Sequence, residues 1–136
     1  MILLVSDGSS SDLGGGNDIA VRWLGVPTNL HSVWDYRLLE HQSLSYTEYV
    51  EFLDFASPEE IVAWSHSRDL DWIEESRALL DQVYAPVRAV EADSIPDLGW
   101  GYVNAMTPVL EQRLLQGGIR LAGVLNRVLG GVTTGR

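Results

Sequence analysis

The 136-residue chain has no cysteine, which excludes disulfides and thiolate-held zinc together. Positive charge is scarce: nine basic residues stand against nineteen acidic ones, for a net charge of -10. Binding nucleic acid over a broad surface draws its affinity from neutralising phosphates, so this balance excludes that mode, and a polybasic membrane surface with it. A phosphate-bearing substrate would need local positive charge, most simply metal ions. No stretch approaches the ~20 unbroken apolar residues of a membrane-spanning helix. Met1 to Val5 is apolar, but it lacks the length, basic flank and cleavage site of a signal peptide. Internal repeats and low-complexity linkers are also missing. What is present is an ordinary globular mixture, 46% hydrophobic and 21% charged, in one domain's length of chain.

Secondary structure reads as mainly α, with one small β element near the N-terminus. Residues Ser6 to Gly16 form a Ser/Asp/Gly loop ending in Gly14-Gly15-Gly16-Asn17, where positive φ angles are expected. Ile19 to Leu24 reads as a short strand stopped by Gly25, one arm of a hairpin with Val26 to Thr28. Asn29 is placed to cap a helix from about Leu30 to His41, with Leu30, Val33, Trp34 and Leu38 on one side. Tyr46 to Phe55 repeats the pattern. Ser57-Pro58-Glu59-Glu60 combines a capping box with proline at the first helical position. From there Ile61, Trp64, Leu70, Ile73 and Leu80 continue helically to Tyr84, with a break allowed near Ser67 and Pro86 closing the run. Arg88 to Gly101 is irregular. The final stripe, Val103, Met106, Leu110, Leu114, Gly117, Leu121, Leu125 and Val128, implies one helix or two nearly coaxial ones. Gly117-Gly118 on its buried face would admit a close neighbour, and the tail from Gly130 is polar.

The strongest chemical feature is Asn29-Leu30-His31-Ser32-Val33-Trp34-Asp35. On a helix, His31 and Asp35 sit at i and i+4, so both project from one face. An imidazole and a carboxylate one turn apart can reach a single zinc, whose ligand bonds are about 2.0–2.2 Å. They equally make an ordinary surface pair, which is the commoner outcome. His41 and His66 lack carboxylates at ligand spacing and read as solvent-facing or capping. Asp69, Asp71, Glu74 and Glu75 read as a solvated charged face. Trp34, Trp64 and Trp72 read as core packing rather than base-stacking platforms.

Gly15-Gly16-Asn17, Trp23-Leu24-Gly25 and Thr28-Asn29-Leu30-His31-x-x-Trp34-Asp35 follow one another in an order that resembles the S1/P1-type, zinc-dependent single-strand nucleases. Trp72-x-x-Glu75-Ser76 is similar to that family's next helix. Gly117-Gly118-Ile119-Arg120-Leu121-Ala122-x-x-Leu125-Asn126 is similar to its closing helix. The resemblance runs from about Gly14 to Leu129. It implies a helical fold shared with zinc-dependent phospholipase C. In that fold three zinc ions in a cleft hydrolyse single-stranded DNA or RNA, and some members also act on 3′-nucleotides. His31 and Asp35 would be two ligands of one zinc, with Trp34 packed beside them. The family is generally exported, so a secreted or periplasmic location is implied.

The remaining ligands of that family precede the stretch matched here, in an N-terminal tryptophan and a His-x-x-x-Asp-x-His-Gln-Pro-Leu-His motif. Ile2-Leu3-Leu4-Val5 aligns with the end of that motif, putting Leu4 where a zinc-binding histidine is expected. With three histidines and no cysteine, the chain cannot build a trinuclear site, which needs roughly three or four ligands per ion. The expectation is a single partial domain over residues 1–136, the C-terminal part of such a nuclease, inactive by itself. Uncovered apolar surface near Trp34 and Leu30, with self-association through it, is expected to follow. The alternatives are a phospholipase C-like phosphodiesterase of the same fold, or a helical interaction module that has lost its metals.

Overall fold

A computed structural model describes residues 16–91 and 94–130. Leu4, the glycine loop before Gly16 and the tail beyond Gly130 lie outside them. The described residues open on a hairpin, β1 (Ala20–Trp23) and β2 (Val26–Asn29), paired antiparallel with Trp23 opposite Val26. Leu24 and Gly25 both adopt positive φ, 49° and 85°, as a two-residue turn matched to strand twist requires. A third strand, β3 (Asp97–Leu98), lies parallel to β1 on its other side. The irregular stretch read for Arg88 to Gly101 therefore contains a strand. Two residues are too few to carry a periodic signal, and the strand exists because Arg22 N–H donates to Pro96 O and Leu24 N–H to Leu98 O. The Asp97 carboxylate also accepts from Gly25 N–H.

The hairpin leads directly into α1 (Leu30–Ser32), a π-helical segment (Val33–Arg37) and α2 (Leu38–Glu40). Asn29 caps this helix as its sequence requires, its Oδ1 accepting from Ser32 N–H at 2.7 Å. The middle is wider than an α-helix: Leu38 N–H bonds to Val33 O, five residues back. Leu30, Val33, Trp34 and Leu38 are all buried. Next come α3 (Tyr46–Leu53) and α4 (Pro58–Ser65), each opened by a complete capping box, Ser45 with Glu48 and Ser57 with Glu60. The predicted break near Ser67 is real and separates α4 from α5 (Asp69–Ala78).

Pro86 does not close the following helix. α6 runs from Leu80 to Arg88 with Pro86 inside its last turn, so the helix continues past it at the cost of the one bond to the carbonyl four residues back. The closing stripe forms a single helix, α7 (Trp100–Leu129), with Pro108 accommodated within it.

The core gathers the sheet, the π-helical segment, α6 and the first half of α7, with Tyr102, Val103, Met106 and Leu110 facing inward. Trp34 Nε1–H donates to the Tyr102 hydroxyl at 2.9 Å, and that hydroxyl donates to Val83 O at 3.2 Å, so one buried relay ties three helices together. Burial, followed in weight by the Trp34 hydrogen bond that partly opposes it, pushes the Tyr102 phenol well above its ordinary pKa.

Elsewhere the periodic stripes are less buried than their spacing predicts. Ile61, Leu70, Ile73, Leu121, Leu125 and Val128 are exposed, because the described residues place no element over those faces. Trp64 and Trp72 are half-buried rather than core. Trp34 and Leu30, near which uncovered apolar surface is expected, are themselves 2% and 0% exposed, packed in one cluster with residues of the sheet, α6 and α7. Gly117 and Gly118 face open space. The close helix approach occurs at Gly123, where an added Cβ would stand 2.8 Å from Ser65 O of α4.

Candidate metal centre

His31 and Asp35 lie on the outward side of the helix that buries Leu30, Val33 and Trp34. Their backbone is fixed at both ends. Leu30 N–H donates to Ile19 O at 3.0 Å, Asn29 caps the first turn, and the Trp34–Tyr102 bond anchors the residue beside Asp35. The side chains converge, His31 Nε2 lying 3.0 Å from Asp35 Oδ2, and they are 37% and 38% exposed. The pairing predicted from i, i+4 spacing is therefore formed, although Asp35 sits in the wider π-helical turn.

The donor set suits zinc. Two ligands on one tetrahedral ion, each about 2.0–2.1 Å away, stand about 3.3 Å apart. A small rotation of either side chain opens the observed separation to that edge. Among the described residues, no group of three or more His, Asp or Glu side chains is placed to hold a metal. Among the described residues, His31 and Asp35 could therefore supply two corners of a tetrahedral ion and no more.

Tyr36, next along, turns away toward Glu40. The Glu40 carboxylate accepts from the Tyr36 hydroxyl, and that bond, with Glu40's charge, raises the phenol's pKa. His41 is half-buried and packs edge-on against Trp23 and Trp100, at 6.1 and 5.1 Å between ring centroids. His66 caps α4, its Nδ1 lying 2.9 Å from Val62 O. Neither joins His31. Gly16 takes the positive φ expected of its loop, 90°.

In the acidic run on α5, expected to be a solvated face, Glu75 is only partly exposed and is tied up in ion pairs. Glu75 accepts from Arg120 Nη2 through both oxygens at 2.7 Å and from Arg113 Nη1 at 2.6 Å. Arg113 reaches further to Gln116 Oε1, Ser76 Oγ and Trp72 O, and Arg120 reaches Ser67 Oγ and lies over the Trp72 ring. Burial pushes the Glu75 carboxyl up, but the bonds and charges of Arg120 and Arg113 outweigh it and hold the pKa below the ordinary value. The visible signal was that Glu75 and Arg120 both fall within the stretches that resemble the nuclease family. Their contact is a structural clamp between α5 and α7.

Comparisons with known proteins give this helical fold with its small sheet a class. The family model described as S1/P1 nuclease matches residues 6–130. Endonuclease 4 of Arabidopsis thaliana is 34% identical over 132 residues, covering 84% of this chain and 42% of that relative. Endonuclease 3 of the same plant is 33% identical over 137 residues, covering 90% and 45%. Endonuclease 2 is 31% identical over 131 residues, covering 85% and 43%. The chain belongs to the S1/P1 nuclease family. It spans less than half the length of these curated relatives.

Proposed function

We propose that this chain contributes one zinc half-site to a phosphodiester hydrolase acting on single-stranded DNA or RNA, and that His31 and Asp35 are its two ligands. The observation that carries this reading is the 3.0 Å approach of His31 Nε2 to Asp35 Oδ2 on a half-exposed helix face, in a chain of the S1/P1 nuclease family. Zinc held there supplies Lewis acidity at the phosphate and offsets charge on the attacking and leaving oxygens. The protein's own contribution is orientation. Asn29, Trp34 and Tyr102 lock the backbone, so the imidazole and carboxylate are presented together without further ordering. The net charge of -10 leaves bound cations as the means of holding a polyanion. Action on 3′-nucleotides and an exported location belong to the same reading, by family resemblance.

Two ligands fall short of the three that a catalytic zinc usually takes from protein. The 136-residue chain, supplied with zinc, is therefore expected to leave single-stranded DNA intact. Joined to the part of Endonuclease 4 outside the matched stretch, it should cleave, and His31→Ala or Asp35→Ala in that protein should abolish cleavage and lower its zinc content. Zinc-dependent cleavage by the chain alone, lost in His31→Ala, would show that the site is complete without further ligands. Undiminished activity and zinc content in His31→Ala of the joined protein would remove the ligand assignment.

A further inference from the structure

Of the five tryptophans, Trp23 and Trp34 are buried, and Trp64 and Trp72 are half-buried, the latter under the Arg120 guanidinium. Trp100, the first residue of α7, is 59% exposed. Its ring is nevertheless held. The His41 imidazole packs edge-on against it at 5.1 Å between centroids, and His41 also meets buried Trp23 at 6.1 Å. The three rings step from the core to the surface, so the indole is braced from within. Gly99 and Gly101 flank it, and a Cβ added at either would meet nothing within 4 Å, so the space beside the ring is open. A braced, exposed indole in open space has the geometry of a stacking platform.

The platform stands at the end of the helix that bears the candidate ligands. His41 is the C-cap of α2, about 9 Å along the axis beyond Asp35 at about 1.5 Å per residue. The Tyr102 hydroxyl, two residues after Trp100, accepts from Trp34 Nε1–H at 2.9 Å, which pins the start of α7 beside that helix. A stacked strand rising about 3.4 Å per nucleotide covers such a span in about three nucleotides. Charge selects which part of a strand the platform can hold. The net charge is -10 and Glu40, beside His41, is exposed, so a phosphate is disfavoured here, whereas a base is uncharged. We propose that Trp100, braced by His41, is a stacking platform for an unpaired nucleobase of the substrate strand, separate from the metal half-site. Every base has a π-face, so the platform is tolerant of sequence. A base inside a duplex has no free face, so the platform favours single strands. The assignment rests on the nucleic-acid substrate proposed above, and not on zinc at His31 and Asp35.

Adenosine, which carries a base and no charge, is the probe. It is titrated without zinc into the 136-residue chain while the indole N–H signals are followed by NMR, the Trp100 signal being the one missing from Trp100→Phe. The expected result is a progressive shift of the Trp100 signal, with those of Trp34 and Trp72 unmoved and ribose without effect. No shift at Trp100, an equal shift at Trp72, or the same shift with ribose would overturn the proposal. Saturation transfer to the adenosine base protons reads binding in the variants. Trp100→Phe should keep it, and Trp100→Ala should weaken it by about 5- to 100-fold. Equal binding by Trp100→Ala and wild type would overturn the platform. The Trp34 signal, set by its bond to Tyr102, reports on the fold. If Trp100→Ala displaces it, Trp100→Leu, which keeps apolar bulk without a π-face, decides in its place. The chain joined to the part of Endonuclease 4 outside the matched stretch should keep the Trp100 shift. Its loss there would assign Trp100 to packing within the larger fold and overturn the proposal. A joined protein without the Trp34 signal is misfolded, and the isolated chain then decides. Because no zinc is present, failure here leaves the His31–Asp35 assignment standing, and loss of that assignment leaves this one.

Discussion

Replacing Glu75 with alanine removes the acceptor that two guanidinium groups share. Arg120 and Arg113 are 5% and 13% exposed at the side chain, whereas Glu75 is 37% exposed. Breaking a fully buried ion pair costs about 3–5 kcal/mol, and an exposed pair contributes about 0–1 kcal/mol. With two arginines buried but the carboxylate partly in water, an intermediate loss of about 2–3 kcal/mol follows. Both arginines keep other acceptors, Ser76 and Gln116 for Arg113 and Ser67 for Arg120, so the clamp loosens without stranding every donor. For a chain of this size about 3–5 °C of Tm accompanies each kcal/mol, so Tm should fall by about 6–15 °C.

Glu75→Gln, which keeps an acceptor oxygen but loses the charge, should fall between. Thermal unfolding followed by far-UV circular dichroism at neutral pH measures both. The folded-state pKa of Glu75 is depressed below 4.5. Its stabilisation is therefore fully present above that value and is lost as pH falls through the folded pKa. The Tm gap between wild type and Glu75→Ala should narrow correspondingly in acid. A Glu75→Ala protein melting within about 2 °C of wild type at neutral pH would refute the clamp as a stabilising element.

Tyr102→Phe leaves the Trp34 indole N–H without its acceptor and removes the hydroxyl's bond to Val83 O, which should cost about 1–3 kcal/mol in urea unfolding. Because the folded-state pKa of Tyr102 is raised above 10.0, its contribution is complete below that value and lost as pH rises past it. Alkaline unfolding should therefore be shallower in Tyr102→Phe. Gly123→Ala drives a Cβ against the Ser65 carbonyl and should destabilise by about 1–3 kcal/mol. Gly117→Ala, which meets open space, should stabilise by about 0.5–1 kcal/mol. Thermal melts of the two variants moving in the same direction would contradict the assigned α4–α7 contact.

Features confined to a turn or two of chain were legible in the residues alone. Asn29 as a cap, the Ser57–Glu60 capping box, the hairpin around Leu24-Gly25 and the buried face Leu30, Val33, Trp34, Leu38 each involve residues at most a few positions apart. Backbone geometry sets their relations before any tertiary contact forms. The approach of His31 to Asp35 belongs to the same class, because i, i+4 neighbours on a helix face each other whatever surrounds them. The family was legible for a different reason: several short motifs stand in one order along most of the chain.

Contacts between distant parts of the chain were decided only by the tertiary structure. β3 exists because Arg22 and Leu24 offer backbone donors to residues more than seventy positions away. Glu75 reads as one acid among four until α7 brings Arg113 and Arg120 against it, 38 and 45 positions on. Periodicity puts Ile61, Leu70, Leu121 and Leu125 on apolar stripes, yet all four are exposed, because amphipathicity states only that a face is apolar, not that anything covers it. A glycine, likewise, permits close approach without naming the neighbour, so Gly123 rather than Gly117-Gly118 meets α4. Local backbone geometry set the helices, the hairpin and the His31–Asp35 pair, while the long-range packing of the sheet, the π-helical segment, α6 and α7 decided which faces are buried.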